Sequence, residues 1–575
     1  ANQLNENDNN KNRKYPHIDK RIRETYEART TSHKAKSYDM YSRFIRWASD
    51  RIVDNGIVAF VANRSFVSKR SFDGFRKVAA EQFKSIHVVD LFGDARDSKS
   101  QGGNVFPNRI GTAIIFLVKG GGGDSGVQIS EIGEGDGDDK LSILGSASIR
   151  GLTSFTAADP SDGDWSSTGL TNPSDGLLLV PAKLSGTKSE KSKKAIFEAG
   201  SFGYISARDE WVSDRDHAKL TKKVKRYIEV YSTVLDGMPD EKVRNIENRL
   251  DYEIKWSADL RKHLESRRRI SFKESAIRSV LFRPFSVRYH YHDGDLNWSL
   301  YRLPAYFPHS AIENRSIYFS DRGARNPFTS LATDMPAEYH LAASTDGFQG
   351  ISRYRYNKSG ERIDNITDWA LNKFTKHYGK KVGVTKEAIF AYCYAVLHDP
   401  VYREKYALNL KREFPRIPFY PDFAQWVAWG ETLLDLHIDY EDVEPYSLER
   451  VGTPNPKRAH GTHPKPKLKS VLADGAETGS VVVDEDTRIA SIPAAAWDYR
   501  LGNRSAIDWV LDQHKEKKPR DPTIAAKFNT YRFADYKENM IELLAKIVTV
   551  SVETNSIVEK MAHLDRTAWE DPSSD

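Results

Sequence analysis

NVFPNRIGTAIIFLVK, residues 104–119, has two halves of different character. Asn104-Val105-Phe106-Pro107 is a polar turn carrying one aromatic ring, stiffened because proline fixes φ and removes a backbone donor. Gly111 to Val118 is a run of apolar and β-branched residues, short enough to be a strand buried on both faces. Two readings fit. One is an ordinary core strand entered through a proline turn. The other is a strand fed by a rigid loop that holds Phe106 at the rim of a pocket.

The flanking residues decide the fold class. Tyr41, Phe44, Ile45, Ala48 and Ile52 recur at helical spacing and predict an amphipathic helix over 38–53, closed by Asp54-Asn55-Gly56 with Gly as the left-handed cap. Ile57 to Ala62 is a continuous apolar run, a strand of parallel type. Ser71 to Phe83 repeats the helical pattern through Phe72, Phe75, Val78, Ala79 and Phe83, and Ile86 to Phe92 is a second strand. A polar loop over 93–104 then leads to the third strand, 110–118. Helix–strand–helix–strand–loop–strand is part of an α/β domain. The last two strands follow one another without a helix, so they are expected to pair antiparallel at one edge of an otherwise parallel sheet. Three strands are too few to complete such a sheet, and the missing ones are expected before Ala1.

The chain has 575 residues, 39% hydrophobic and 29% charged. At ~150 residues per domain that is about three to five domains, and the apolar content is enough for a large core. Cys393 is the one cysteine, which excludes an internal disulfide framework and cysteine-based zinc sites and fits a reducing, cytoplasmic setting. No run of about 18 apolar residues predicts a membrane span. Residues 1–14 begin without Met and are nearly all polar. They read as a terminal tail, or as a loop of a domain whose other parts precede Ala1. The net charge of +6 points only weakly to an anionic partner.

Beyond residue 120 the signals are of uneven value. GGGGDSG, 120–126, lacks the spacing of a phosphate-binding loop and reads as a flexible connection. Residues 128–179 are polar and rich in Gly, Ser and Asp, with short strands and loops expected. From about Lys191 the chain turns basic. Asp209 to Leu235 reads as a helix with Lys219, Lys222, Lys223, Lys225 and Arg226 among apolar residues, and Arg267-Arg268-Arg269 follows. FRPFSVRYHYHDGDLNWSLYRLPAYF, 282–307, interleaves arginine with aromatics, and SDRGAR, 320–325, adds two more arginines. Arginine neutralises phosphates and aromatic rings stack on bases, so 255–325 is a candidate nucleic-acid surface. The same pattern also suits strands with aromatic cores and solvated arginines. Further helices are expected over 366–410, 505–513 and 536–559, and an exposed Pro/His/Lys-rich loop over 450–469.

Little supports local catalytic chemistry. There is no nucleotide-binding loop of the GxxxxGK[ST] type and no HExxH. His290 and His292 alternate, which puts both on one strand face beside Asp293. Such histidines pack, contact phosphate or, less commonly, bind a metal; no metal site is expected. Pro239-Asp240-Glu241-Lys242 places its carboxylates in a turn, which does not suit a nuclease centre.

Two ordered sets of segments carry a family resemblance. The first is ANQLNENDNNKNRKYPHIDKRIRETY, WASDRIVDNGIVAFVANRSFV, FDGFRK and NVFPNRIGTAIIFLVK. It resembles the later half of the amino-group DNA methyltransferase domain of type ISP restriction–modification enzymes, directly after the catalytic Asn-Pro-Pro-Tyr tetrad. The second includes ARDEWV, IKWSADLRKHL, LFRPFSVRYHY, SDRGARNPF, VTKEAIFAYCYAVLHDPVYREKYALNLKREFPRIP, EPYSLER and AWDYRLGNRSAIDWVLDQ. It resembles the same family's C-terminal specificity domain.

The resemblance implies an α/β fold: the C-terminal part of a Rossmann-like methyltransferase sheet, followed by a mixed α+β target-recognition domain. It implies boundaries at 1–120 for the methyltransferase part, 121–190 for a variable connection, 191–450 for the specificity domain, and 451–575 for an exposed loop and closing helices. It implies double-stranded DNA as partner and adenine-N6 methylation with S-adenosylmethionine. In a complete enzyme these are coupled to ATP- and Mg2+-dependent translocation and cleavage by nuclease and helicase segments that are not in this sequence. The Gly-rich cofactor loop and the tetrad are also missing, so the chain alone is expected to be inactive. Within the family pattern Asn104, Phe106 and Pro107 match the motif whose aromatic stacks on a flipped adenine. Arg283, Arg288, Tyr289, Arg302, Arg322 and Arg325 are the candidate DNA contacts. The competing readings are a non-catalytic DNA-binding specificity subunit and an RNA-binding or structural protein.

Overall fold

The structure is a computed structural model that describes residues 15–30, 38–93, 103–106, 110–121, 125–133, 135–157, 160–161, 163–165, 176–181, 194–239, 246–343, 346–564 and 566. The chain divides into two compact units, Ala1–Thr171 and Asn172–Asp575.

The first unit is built on a five-stranded sheet of order β1-β3-β2-β4-β5. Its strands are β1 (Gly56–Asn63), β2 (Ser85–Asp90), β3 (Thr112–Lys119), β4 (Gly126–Glu131) and β5 (Phe155–Thr156). Among the helices that accompany them are α1 (Pro16–Ile22), α2 (Met40–Ser49), α3 (Asp73–Gln82) and α4 (Gly137–Ser146). The periodic segments therefore fold as their patterns require, with ends shifted by a few residues. Val58, Leu117, Ile115, Ile86, Val88, Val127 and Ile129 form the buried sheet face, against Ile22, Ile45, Phe75 and Ala79 from the helices.

Three expectations need correction. β3 does pair antiparallel with β2, but it is not at an edge: it also pairs antiparallel with β1, from Gly56 opposite Lys119 to Asn63 opposite Thr112. β1 and β2 thus run parallel without touching, and β3 fills the gap between them. The sheet is mixed, with β2–β4 its one parallel pair. Second, β1 is not the strand of parallel type expected over 57–62: its partner β3 runs antiparallel to it, and one of its faces is open. Ile57 and Val61 are 63% and 56% exposed, on the side opposite buried Val58. Third, the polar stretch after Gly126 supplies β4 and α4. There Asp136 accepts hydrogen bonds from the Asp138 and Asp139 amides in a capping box. Short side chains that cap helices give little apolar periodicity, so the helix was not visible as a pattern.

The second unit holds several small sheets. β6 (Ser201–Phe202), β10 (Ser316–Ser320), β11 (Ser330–Thr333) and β12 (Phe348–Ser352) form one of order β11-β10-β12-β6. β7 (Ser213–Asp214), β8 (Ile277–Arg283) and β9 (Ser286–Tyr291) form a second, order β7-β9-β8. β13 (Glu449–Gly452), β14 (Pro466–Val471), β15 (Thr478–Asp484) and β16 (Thr487–Pro493) form a third, order β13-β16-β15-β14. The region 450–469 is thus not wholly a loop, since β13 and the start of β14 lie in it. Its helices include α5 (His217–Asp236), α6 (Lys386–Val396), α7 (Phe423–Ile438), α8 (Ala506–His514) and α9 (Lys537–Ala562).

α6 is buried from Ile389 to Val396, including Cys393, as a helix apolar on all sides must be. α7 reaches it only because of Gly430, where an added Cβ would meet the Ala391 carbonyl oxygen at 2.0 Å. Gly430→Ala must push the two backbones apart. It is expected to destabilise this unit by about 1–3 kcal/mol, the usual range for overpacking. Denaturant unfolding measures it, and an unchanged midpoint contradicts the close approach.

Candidate nucleic-acid interface

The β8–β9 hairpin carries the densest group of candidate residues. Its turn is Arg283-Pro284-Phe285-Ser286, with Phe285 at φ +55. That left-handed backbone disfavours a bulky residue. Burial offsets it: the Phe285 ring is 1% exposed and meets Tyr440 edge-on at 5.1 Å between centroids. The anchored turn fixes the directions of the arginines on either side.

Arg283 and Arg288 both lie over the Phe282 ring, at 4.3 and 4.0 Å from its centroid. Their electrostatic situations differ. Arg283 Nη1 donates to Glu338 Oε2 at 2.5 Å, and both side chains are largely buried. Burial raises the Glu338 pKa and the Arg283 charge opposes that rise. Arg288 Nη2 donates to Gln513 Oε1 at 3.2 Å, and its Nε is buried with no hydrogen-bond partner. Burial lowers the Arg288 guanidinium to about 10, and the neighbouring charges of Arg215 and Arg283 act in the same direction. Arg215 Nη2 donates to the backbone oxygen of the same Gln513 at 3.0 Å. Arg215 was not among the candidates. Its partner lies almost three hundred residues away, and neither residue stands in an arginine–aromatic run.

Tyr289 lies on β9 itself, and the remaining candidates lie elsewhere in the unit. Tyr289 is 37% exposed and meets His217 edge-on at 5.4 Å. With Arg278, His309, Glu313 and Asp334 it lines a cleft of about 360 Å3. Arg302 is exposed, its amide donating to Ser201 Oγ at 3.0 Å, next to Tyr301. Arg322 lies over the Phe414 ring at 4.1 Å. The Arg325 amide donates to Asp346 at 3.0 Å. Arg322 and Arg325 share the loop after β10, apart from the β8–β9 hairpin in the sequence and set against different partners.

Much of the basic pattern is scaffolding. Lys223 is buried, with Nζ 2.8 Å from Asp214 Oδ2 and donating to the Glu210 and Ser213 carbonyls. Arg268 pairs with buried Asp295, and Arg269 forms a surface ion pair with Asp236, of a kind that contributes little. His290 and His292 do share a strand face, and both are buried. His290 stacks on Tyr204 at 4.1 Å and reaches Ser213 Oγ (2.8 Å) and Asn297 Oδ1 (2.9 Å). Burial lowers its pKa to about 4. Among the described residues no group of three or more His, Cys, Asp or Glu is placed to hold a metal ion.

In the first unit the loop that carries Phe106 is tied at both stems. Asn104 Nδ2 donates to the carbonyl oxygens of Gly93 (3.2 Å) and Ile110 (2.7 Å), while its Oδ1 accepts from the Phe106 amide at 3.3 Å. Lys140 Nζ, from α4, donates to the Leu91 and Gly103 carbonyls at 2.9 Å each. Beneath the loop Arg64 and Asp90 form a two-pronged pair, 2.8 Å on each arm, joining the ends of β1 and β2. The Phe106 ring is 43% exposed. Pro107 lies outside the described residues. Lys140 was missed because it falls in the polar stretch that gave no helical pattern.

The family model described as Type ISP C-terminal specificity domain matches residues 195–543. A DrdV–DNA complex solved by cryo-electron microscopy is similar over 98% of this chain, at 42% identity and a TM-score of 0.89. A nuclease-deletion mutant of the type ISP restriction–modification enzyme LlaGI, in complex with a DNA substrate mimic, gives 27% identity and 0.82 over 98%. The ATP-dependent type ISP enzyme LlaBIII, bound to DNA, gives 23% identity and 0.81 over 97%, a likeness of fold. This chain spans 56%, 43% and 36% of those three chains respectively. The comparison with curated proteins gave no match.

Proposed function

The chain belongs to the type ISP restriction–modification family and carries its C-terminal specificity domain, and from that premise we propose that its second unit recognises a site in double-stranded DNA. The match over 195–543 carries this reading. The β8–β9 arginines inside that match, and the DNA present in the DrdV and LlaGI complexes, support it.

The first unit, on the same premise, is the later part of an adenine-N6 methyltransferase domain with a Rossmann-like sheet. Two observations support it. β1 and β2 run parallel with β3 inserted antiparallel, and β1 pairs on one side only among the described strands while Ile57 and Val61 stay exposed. An open edge with apolar neighbours suits further strands beside β1. The described residues do not fit S-adenosylmethionine. The glycine-rich turn at Gly120–Gly121 joins two strands instead of opening a helix, and the tetrad is not in the sequence. On this reading methyl transfer, like ATP-driven translocation and cleavage, needs parts of the enzyme that the present sequence does not include. The chain alone is expected to bind DNA without modifying it. Among the described residues no helix is long and apolar enough to cross a membrane.

Binding to a random-site duplex pool, measured over a range of salt and followed by selection, tests the recognition reading. The logarithm of the binding constant is expected to fall linearly with the logarithm of salt, at about −0.9 per phosphate contacted. Selection is expected to yield a consensus. Binding without any enriched sequence would contradict site recognition.

A further inference from the structure

A half-buried guanidinium is normally matched by a carboxylate, because an uncompensated charge away from water is costly. The second unit follows this rule at Arg283 with Glu338, Arg208 with Asp259 and Arg353 with Asp364. Arg215 and Arg288 depart from it, as do Arg278 on the Phe307 carbonyl and Arg403 on the Leu397 carbonyl and Ser330 hydroxyl. Arg215 and Arg288 are both half-buried, both converge on Gln513, and their protein partners there are neutral oxygens: the backbone carbonyl for Arg215 and the side-chain amide for Arg288.

The nearby acids are already engaged. Asp214 pairs with Lys223, Glu338 with Arg283, and Asp209 accepts a hydrogen bond from Ser206. The Asp216 side chain caps α5 by accepting from the Lys219 amide at 2.9 Å, which fixes the backbone next to Arg215. His514, on α8 beside Gln513, is held neutral down to about pH 4 by burial together with the charges of Arg215 and Arg288. The result is two like charges on a fixed frame, joined at Gln513.

We propose that Arg215 and Arg288 together hold one phosphate of the DNA backbone. The inference rests on the DNA-binding reading above and goes further by sorting the arginines. A base edge is uncharged and would leave the mutual repulsion of the two guanidinia in place. A phosphodiester offers one negative charge and several acceptor oxygens, which two guanidinia can share. Arg283, neutralised by Glu338, acts as a positioning residue on the Phe282 ring over which the Arg288 guanidinium also lies.

The test uses the full chain, with fluorescence anisotropy on the selected duplex and on a random duplex over a salt series. Arg288→Gln and Arg215→Gln are each expected to weaken binding to both duplexes by the same factor. Each is expected to lower the salt slope, by at most about 1. The double variant is expected to lower the slope by about 1 in total, because the two side chains share a phosphate. Arg288→Lys restores the slope if charge is what matters, which separates the role from simple misfolding. A loss of about 2 in the double variant would mean separate phosphates and overturns the proposal. So does a change in the ratio of selected to random affinity, which would mean base reading. An unchanged slope in both single variants overturns it as well. Protection against thermal unfolding by inorganic phosphate, with DNA binding by the variants unchanged, would mark a free-phosphate site and also reject it. If the unaltered chain binds neither duplex, the recognition reading itself fails.

Discussion

Phe106→Ala in the complete enzyme is expected to lower DNA methylation about ten- to hundredfold, the equivalent of losing one base–aromatic stack of ~1–3 kcal/mol. The ring is 43% exposed, so its removal takes little from the core, and the melting temperature should hardly move. Asn104 and Lys140 hold the loop stems through backbone carbonyls, so the loop itself should keep its shape. Single-turnover methylation of a duplex measures the effect. An extruded adenine has lost its own stack and pairing, and a pocket must replace part of that. A variant with normal turnover would remove Phe106 from the pocket. One that loses activity together with its melting transition would make the residue structural.

Asp90→Ala is expected to cost the first unit about 3–5 kcal/mol, because it strips a carboxylate from a buried arginine without removing the arginine. Asp90 is 1% exposed and meets Arg64 on both arms at 2.8 Å, while Arg64 also covers the Phe92 ring at 4.4 Å. Replacing both partners with apolar residues of similar size should cost much less than Asp90→Ala alone. Urea unfolding followed by hydrogen exchange in β1 and β2 resolves this. A loss below about 1 kcal/mol would mean that water solvates the pair and that it is not a true buried bridge.

The local patterns of the sequence carried the elements of the first unit well. Strands near 57–62, 86–92 and 110–118 and the helices around them lie where their periodicities put them. Their order did not follow from those patterns, because periodicity says which face is apolar and not which strand is the neighbour. Hence β3 was expected at an edge and lies between β1 and β2. The arginines of the second unit show the same limit. Arg283 and Arg288 were visible as members of an arginine–aromatic run. That Glu338 neutralises one and that Arg215 joins the other depends on contacts 55 and 298 residues apart for Arg283–Glu338 and Arg215–Gln513. The polar stretch after Gly126 hid α4 for a different reason: its start is written in capping aspartates, and its one deeply buried side chain is a lysine. The family was legible only because long ordered segments could be compared whole.

The insertion of β3 between two earlier strands has a consequence for synthesis. When Ser85–Asp90 has left the ribosome, β1 and β2 are both available but have no hydrogen bonds to make with each other. Each waits for Thr112–Lys119, whose arrival pairs both at once. Until then the nascent chain carries unpaired apolar strands, the state in which chaperones bind and chains aggregate. A pause in translation that leaves Ser85–Asp90 outside the ribosome and Thr112–Lys119 still in the exit tunnel should therefore lower the yield of folded protein more than one placed after Thr112–Lys119 has emerged.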